Sequence, residues 1–470
     1  MKRPILLLIF TFLALKTFAQ TPCENGFAGE FPCNGFNLQS HIDLSEMNAA
    51  TGNDSWGWTD PETGKEYALM GLDNGTAFID ISDPTNALYL GKLPTEIETS
   101  LWRDIKVYNN HAFIVSEAPD HGMQVFDLTR LRNVPNPPQT FETDGFYGGF
   151  GNAHNIAINE DSGYAYVVGT QTYAGGPHFV NIQNPTSPTA AGGFAGHFYC
   201  HDAQIVNYDG PDTDYLGKEI FVGSNEDILS IVDVTDKANP IGIATFSYVN
   251  TGYTHQGWFT EDQRYFILGD EMDELFFGFN TRTLIFDLSD LDNPVLHHEY
   301  YGTTPAIDHN GYTLGNKFYL ANYTAGLRVM DISNIQNGVM NEVAYFDTHP
   351  ENDNASFDGI WSVYPYFNSG NIVVSDINRG FFLLRDPSLS VEEFDKKGIS
   401  MVPNPAQQHF TITLKNQILT DIEIYNTIGQ KFLSLKTINE PSKSIDVSSL
   451  PTGVYLVKIN GNIVKRLIKK

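Results

Sequence analysis

Four histidines, His154, His201, His255 and His309, recur at one place in a repeating text, each directly before an Asp, Asn or Gln. Other repeats carry Trp56, Arg103 and Asp358 at that place. The polar column after it reads Gly57, Asp104, Asn155, Asp202, Gln256, Asn310 and Gly359. A third polar position follows downstream in each repeat: Asp73, Glu117, Gln171, Glu226, Glu271, Asn322 and Asp376. Imidazole and carboxylate together suit divalent transition metals. Three neighbouring histidines with one carboxylate suffice for zinc-like coordination. The candidate metal or ligand residues are therefore His154, His201, His255, His309, Asp104, Asp202, Glu117, Glu226, Glu271 and Asp358, and a divalent metal ion is the cofactor such a set would take. Carboxylates crowded together raise one another's pKa, and a cation relieves that cost. A metal-activated water would carry the set from binding to catalysis; no residue is assigned a catalytic role. The competing reading is that these side chains hydrate a narrow channel and hydrogen-bond their neighbours. No nucleophile elbow, phosphate loop, zinc-protease helix motif or Rossmann fingerprint is present.

The columns can meet only if the repeat folds into a ring. A strand-turn motif recurs at Phe78–Ser82, Val125–Thr129, Phe179–Ile182, Ile231–Thr235, Ile285–Ser289 and Val329–Ser333, centred on Asp80, Asp127, Asn181, Asp233, Asp287 and Asp331. Asp or Asn at a strand end accepts backbone N–H groups, and the Pro that often follows forbids continuing the ladder. Two short strands precede each motif and another apolar segment follows, giving four strands in each period of about 50 residues, the signature of a propeller blade. The second column occurs seven times, so the expected fold is an all-β, seven-bladed β-propeller. In such a ring the innermost strand begins, and the next strand ends, on the same face. The columns should therefore crowd one mouth of the central channel. The loop Asp270–Thr281, long and rich in Phe and Glu, is expected to lean over that mouth as a lid. The seventh repeat shows only three strands. Phe36–Leu44, which alternates Phe36, Leu38, Ser40, Ile42 and Leu44, is expected to supply the fourth and leave no open edge.

Composition bounds the rest. The chain has 470 residues and a net charge of −28. Residues 21–395 hold 14 basic and 52 acidic side chains, a net of −38, whereas residues 396–470 hold 11 basic and 4 acidic. Such an acidic body repels phosphates, so nucleic acid is excluded as a partner. Lys2 and Arg3, the apolar run Ile5–Leu15 and the small residues Thr17 and Ala19 read as a secretory signal cut before Gln20. No other apolar stretch approaches a membrane span. An exported chain folds where disulfides persist. Cys23 and Cys33 are expected to pair and close a local loop, leaving Cys200 as a small buried hydrophobe.

The strand-turn code resembles the LVIVD repeat of secreted bacterial propellers. Together with Pro22-Cys23 and Pro32-Cys33, the span from Cys23 to about Asp386 resembles the choice-of-anchor B family. That resemblance implies a secreted or surface-attached propeller and brings no established reaction. The tail carries four ordered blocks: Pro403-Asn404-Pro405-Ala406, Ile424–Gln430, Ile445–Ile459 and the basic end Lys465–Lys470. Alternating apolar residues in Phe410–Leu414, Ile422–Tyr425 and Val454–Ile459 mark a small β-sandwich. These blocks resemble the type A C-terminal sorting domain of the type IX secretion system of Bacteroidetes. The resemblance implies the secretion machinery as a partner, an extracellular or outer-membrane-surface location, and removal of the tail with release or lipid anchoring of the cargo. The expected organisation is a signal peptide over 1–19, the propeller over 20–387, a linker over 388–400 and the sorting domain over 401–470. The expected function is a binding or adhesion scaffold with a protein, glycan or small-molecule ligand, rather than an enzyme. The alternative is a metal-dependent hydrolase or lyase using the His-rich mouth.

Overall fold

The computed structural model describes residues 20–387, 399–404, 406–414, 418–426, 430–460 and 463–470. The expected signal segment, 1–19, and residues 388–398 of the expected linker lie outside the described residues. The chain divides into two compact units, Met1–Asp386 and Pro387–Lys470.

The first unit is a β-propeller. Among its described residues are seven antiparallel sheets, each built on four strands. The innermost strands are Gly52–Thr59, Arg103–Tyr108, Asn155–Asn159, Asp202–Asn207, Thr254–Phe259, Gly311–Leu314 and Ile360–Tyr364. Each touches the next, and the last touches the first, so the sheets close into a ring. The strand-turn code works as its chemistry predicts. The side chains of Asp80, Asp127, Asn181, Asp233, Asp287 and Asp331 all accept the backbone N–H two residues on, at 2.8–3.0 Å. Second strands are buried on both faces, as in Glu66–Leu72 and Tyr265–Asp270, because each sheet is sandwiched between two others. Outer strands such as Ile241–Phe246 are largely exposed. Neighbouring sheets share one core: Phe78 stacks on Phe126 at 4.4 Å, within a cluster that also holds Leu69, Ile105 and Ile114. Burial of each such side chain contributes about 1.5–3 kcal/mol.

The ring closes through the N-terminal segment. Asn37–Ile42 pairs antiparallel with Gly380–Arg385 and completes the seventh sheet, as the alternation after Phe36 predicts. The hairpin of Phe27–Ala28 with Phe31–Asn34 adds to the outer strand Asn341–Phe346 of the sixth sheet. The expected Cys23–Cys33 disulfide is formed, and Cys200 is free and buried.

The second unit holds two small sheets. One joins Ile399–Val402, His409–Leu414 and Ser442–Asp446; the other joins Lys431–Glu440, Leu419–Asn426, Gly453–Ile459 and Ile463–Lys469. Phe410, Ile412, Ile422, Ile424, Val457 and Leu467 fill the core between them. No helix of the described residues is long and apolar enough to cross a membrane.

Candidate functional site

The four histidines are brought together. They stand on successive inner strands or immediately before them, with ring centroids 3.9 Å apart for His154–His201, 4.4 Å for His201–His255 and 4.3 Å for His255–His309. Backbone carbonyls and a carboxylate hold three of the four rings. His201 Nδ1 lies 3.2 Å from the carbonyl of His255, and His309 Nδ1 lies 2.6 Å from that of Trp361. His154 Nδ1 lies 2.7 Å from Glu117 Oε1. Burial lowers the pKa of His201 and His255 well below the usual value and that of His309 to about 3. These three imidazoles are neutral, the form that binds a metal.

Glu271, which follows the second strand of the fifth sheet, completes the tightest group. Its Oε2 is 3.7 Å from His255 Nε2, and its Oε1 is 3.6 Å from His309 Nε2. One ligand atom from each of His255, Glu271 and His309 falls within 4.8 Å of the other two. Both histidine side chains are 3% exposed and Glu271 is 15% exposed. Burial raises the Glu271 pKa to about 7, partly offset by the hydrogen bond that Tyr323 donates at 2.7 Å. Tyr323 sits at φ 30°, a strained backbone for an aromatic residue. The turn that holds it is closed by Ala325 N donating to the Asn322 carbonyl at 2.8 Å and Gly326 N to the Tyr323 carbonyl at 3.1 Å. Beside this group opens a pocket of about 340 Å³, lined by Trp102, Glu271, Tyr323, Phe357 and Trp361 among others. Trp102 and Phe357 are 41% and 46% exposed, an aromatic wall open to solvent.

Below the histidines the channel is plugged by charge. Lys106 Nζ is 2.5 Å from Asp104 Oδ1 and 3.5 Å from Asp54 Oδ2, and all three side chains are nearly buried. Burial alone would lower the Lys106 pKa, but Asp104 and Asp54 outweigh it and raise it. Asp104 also accepts the Ile156 N–H at 2.9 Å, tying the second sheet to the third. Asp202 accepts from Asn155 Nδ2 at 2.7 Å, and burial with the nearby Asp104 charge raises its pKa to about 7.

Not every candidate lies in the ring. Asp358 stands on the loop before its strand, where it accepts from Ser356 and Asn378. Trp361 occupies the histidine position of the seventh sheet, since His309 bonds its carbonyl much as His201 bonds that of His255. In the first sheet that position belongs to Asn53 and the following one to Asp54, which accepts the Ile105 N–H as Asp104 accepts that of Ile156. Trp56 and Gly57 lie further along the strand. The register shifts between Gly52 and Ser55 and between Ile360 and Ser362, as it does at His255 in the fifth sheet, and no histidine marks the place in the first or seventh sheet. Glu226 is exposed, at φ 61°. Asp73 and Asp376 cap turns, Asp73 accepting from Ala50 N and Asp376 from Asn378 N and Arg379 N. The expected lid forms the short helix Asp273–Phe277, tied by Arg282 to Asp273, Glu299 and the carbonyl of Val249. Its Phe277 and Phe279 stack on each other, and Phe279 packs against Tyr301 of the outer strand; Glu271 is its contribution to the pocket. Tyr323 and the aromatic wall went unread in the sequence, because their positions carry no repeating residue type.

Residues 400–470 match the family described as secretion system C-terminal sorting domain. The protein is thus a cargo of the type IX secretion machinery, exported to the cell surface or the extracellular space. Over 101 residues the chain is 29% identical to the ulvan lyase NLR42 of Nonlabens ulvanivorans, a match covering 21% of this chain and 19% of that enzyme. The chain therefore spans about a fifth of that relative. Among solved structures, PorZ of Porphyromonas gingivalis, described as an essential surface component of the type-IX secretion system, is 12% identical with a TM-score of 0.45, covering 87% of this chain and 58% of PorZ. The Cps50 (Swd1) β-propeller domain of Myceliophteria thermophila is 10% identical with a TM-score of 0.44, over 68% of this chain and 93% of that one. A protein from Lactobacillus plantarum is 12% identical with a TM-score of 0.46, over 84% and 99% of the two chains.

Proposed function

We propose that this exported propeller is a metal-dependent binding module. A divalent transition metal held by His255, His309 and Glu271 presents its open positions to a ligand in the aromatic pocket beside it. The observation that carries this reading is the convergence of three ligand atoms within 4.8 Å, two from neutral buried imidazoles and one from a half-buried carboxylate. Three protein ligands leave a position open, as in sites that engage a water or a ligand. Tyr323 holds the carboxylate and the Trp361 carbonyl holds His309, the outer bonds that orient metal ligands. The resemblance of the repeats to the LVIVD propellers of the choice-of-anchor B family supports a surface module with the sorting tail removed after export. A second reading, hydrolase or lyase chemistry through a metal-activated water, draws on the open position and on the Tyr323 hydroxyl at Glu271.

Calorimetric titration of Zn²⁺ and Mn²⁺ into the purified full chain, after chelation, tests the site. One ion per chain is expected, with affinity lost in His255→Ala and His309→Ala. Equal binding by wild type and both variants, or none by wild type, overturns it. Turnover of polysaccharide or ester substrates that depends on the ion would favour the second reading.

A further inference from the structure

We propose that the opposite end of the channel binds a small organic cation, an alkylated ammonium group, between Trp56, Trp258 and Tyr312. A cavity of about 150 Å³ opens there, lined by these three rings with Lys106, Glu160 and Asp202 among its other walls. That is room for about five waters at ~30 Å³ each, the scale of a trimethylammonium group. The rings meet at steep angles and so wall the space on different sides: Trp258 and Tyr312 are 4.9 Å apart at 69°, and Trp56 and Tyr312 are 5.9 Å apart at 71°. One face already carries a cation, since Lys106 Nζ lies 4.6 Å from the centre of a Trp56 ring. Aromatic faces attract such charges, most strongly when water is excluded.

Charge and hydrogen bonding select the ligand. Lys106 is the one cationic side chain lining the cavity, and Asp104 and Asp54 already hold it. Glu160 adds negative charge to the same walls, and Asp202 adds to it in its ionised form. An anion would meet these carboxylates. A sugar ring would need partners for its hydroxyls, and three of the four polar amide atoms here are already bonded. Gln204 Oε1 accepts the Phe259 N–H at 2.8 Å, while Gln256 bonds the N–H of Gly311 at 2.9 Å and its carbonyl at 3.2 Å. An alkylated ammonium needs no hydrogen-bond partner, only aromatic faces and surplus negative charge.

The test is calorimetric titration of the full chain, in EDTA, with tetramethylammonium, choline, the uncharged choline isostere 3,3-dimethylbutan-1-ol, and methyl glucoside. Both cations should bind, and the isostere about tenfold or more weakly. Trp258→Ala should weaken choline by a similar factor, Trp258→Phe should retain most of it, and His309→Ala at the other mouth should leave it unchanged. Equal binding of choline and its isostere, binding of methyl glucoside alone, or no binding of any probe overturns the proposal. The wild-type comparison of choline with its isostere stands even where a tryptophan variant fails to fold.

Discussion

Glu271 is a carboxylate 15% exposed, set between two imidazoles too deeply buried to carry charge. Without a cation the Tyr323 hydrogen bond and the nearby His154 offset only part of the loss of water, and its pKa rises accordingly. Glu271→Gln keeps the shape and removes the charge. The metal-free variant should melt at or above the wild-type temperature, while the stabilisation that Zn²⁺ gives the wild type should vanish. Calorimetric scans with and without the ion check both, and a variant still stabilised by Zn²⁺ would move the site elsewhere. Tyr323→Phe removes only the bond that orients Glu271 and should weaken metal binding about 10–100-fold, measured by titration. The histidines were legible in the sequence because a rare residue type recurred at one place in four of the seven repeats. Asn53, Asp54 and Trp361 were not, because no histidine marks the place in the first and seventh sheets. Tyr323 was invisible because its position carries no repeating residue type.

At the scale of elements, the strand-turn code was readable because Asp and Asn do the same work six times, each accepting the N–H two residues on. The closing strand was readable from its alternation, whereas the hairpin of Phe27–Ala28 with Phe31–Asn34 is too short to announce itself. Closure makes the N-terminal segment structural. Replacing Cys23 and Cys33 by Ser removes a cross-link over a sequence separation of 10, and chain entropy puts the loss at about 2–3 kcal/mol; denaturant unfolding measures it. Deleting residues 20–45 removes the fourth strand of the seventh sheet and should lower the melting temperature far more. A second tie joins the first two sheets: Asp60 accepts from Arg132 Nε at 2.8 Å and from Nη2 at 2.7 Å, while Thr63 Oγ1 donates to it at 2.6 Å. The Arg132 bonds, with those from Thr63 and the Glu62 N–H, outweigh burial and lower the Asp60 pKa to about 2. A depressed acid stabilises the fold above its unfolded pKa of about 3.9. That contribution fades as pH falls toward 2. Asp60→Asn should therefore melt below wild type at pH 7, with the gap closing between pH 4 and pH 2. A gap that persists at pH 2 would show that the loss is steric rather than electrostatic.

For the whole molecule, the residues that match the sorting domain fall within the second of the two compact units. The sorting blocks were legible because sequence motifs, rather than a buried site, carry the export signal. The aromatic pocket was not legible, because its wall of Trp102, Tyr323, Phe357 and Trp361 is assembled from loops and strand ends of different sheets. A chain ending at Pro387 should fold with an unchanged melting transition and fail to reach the cell surface, as fractionation would show. The central claim is that the mouth of the channel is a metal centre. Anomalous diffraction at the zinc edge, from crystals of the full chain equilibrated with Zn²⁺, tests it most directly. One peak is expected about 2.0–2.2 Å from ligand atoms of His255, His309 and Glu271, absent from Glu271→Gln crystals. No peak between those three side chains at saturating Zn²⁺ would contradict it and leave the histidines as channel lining.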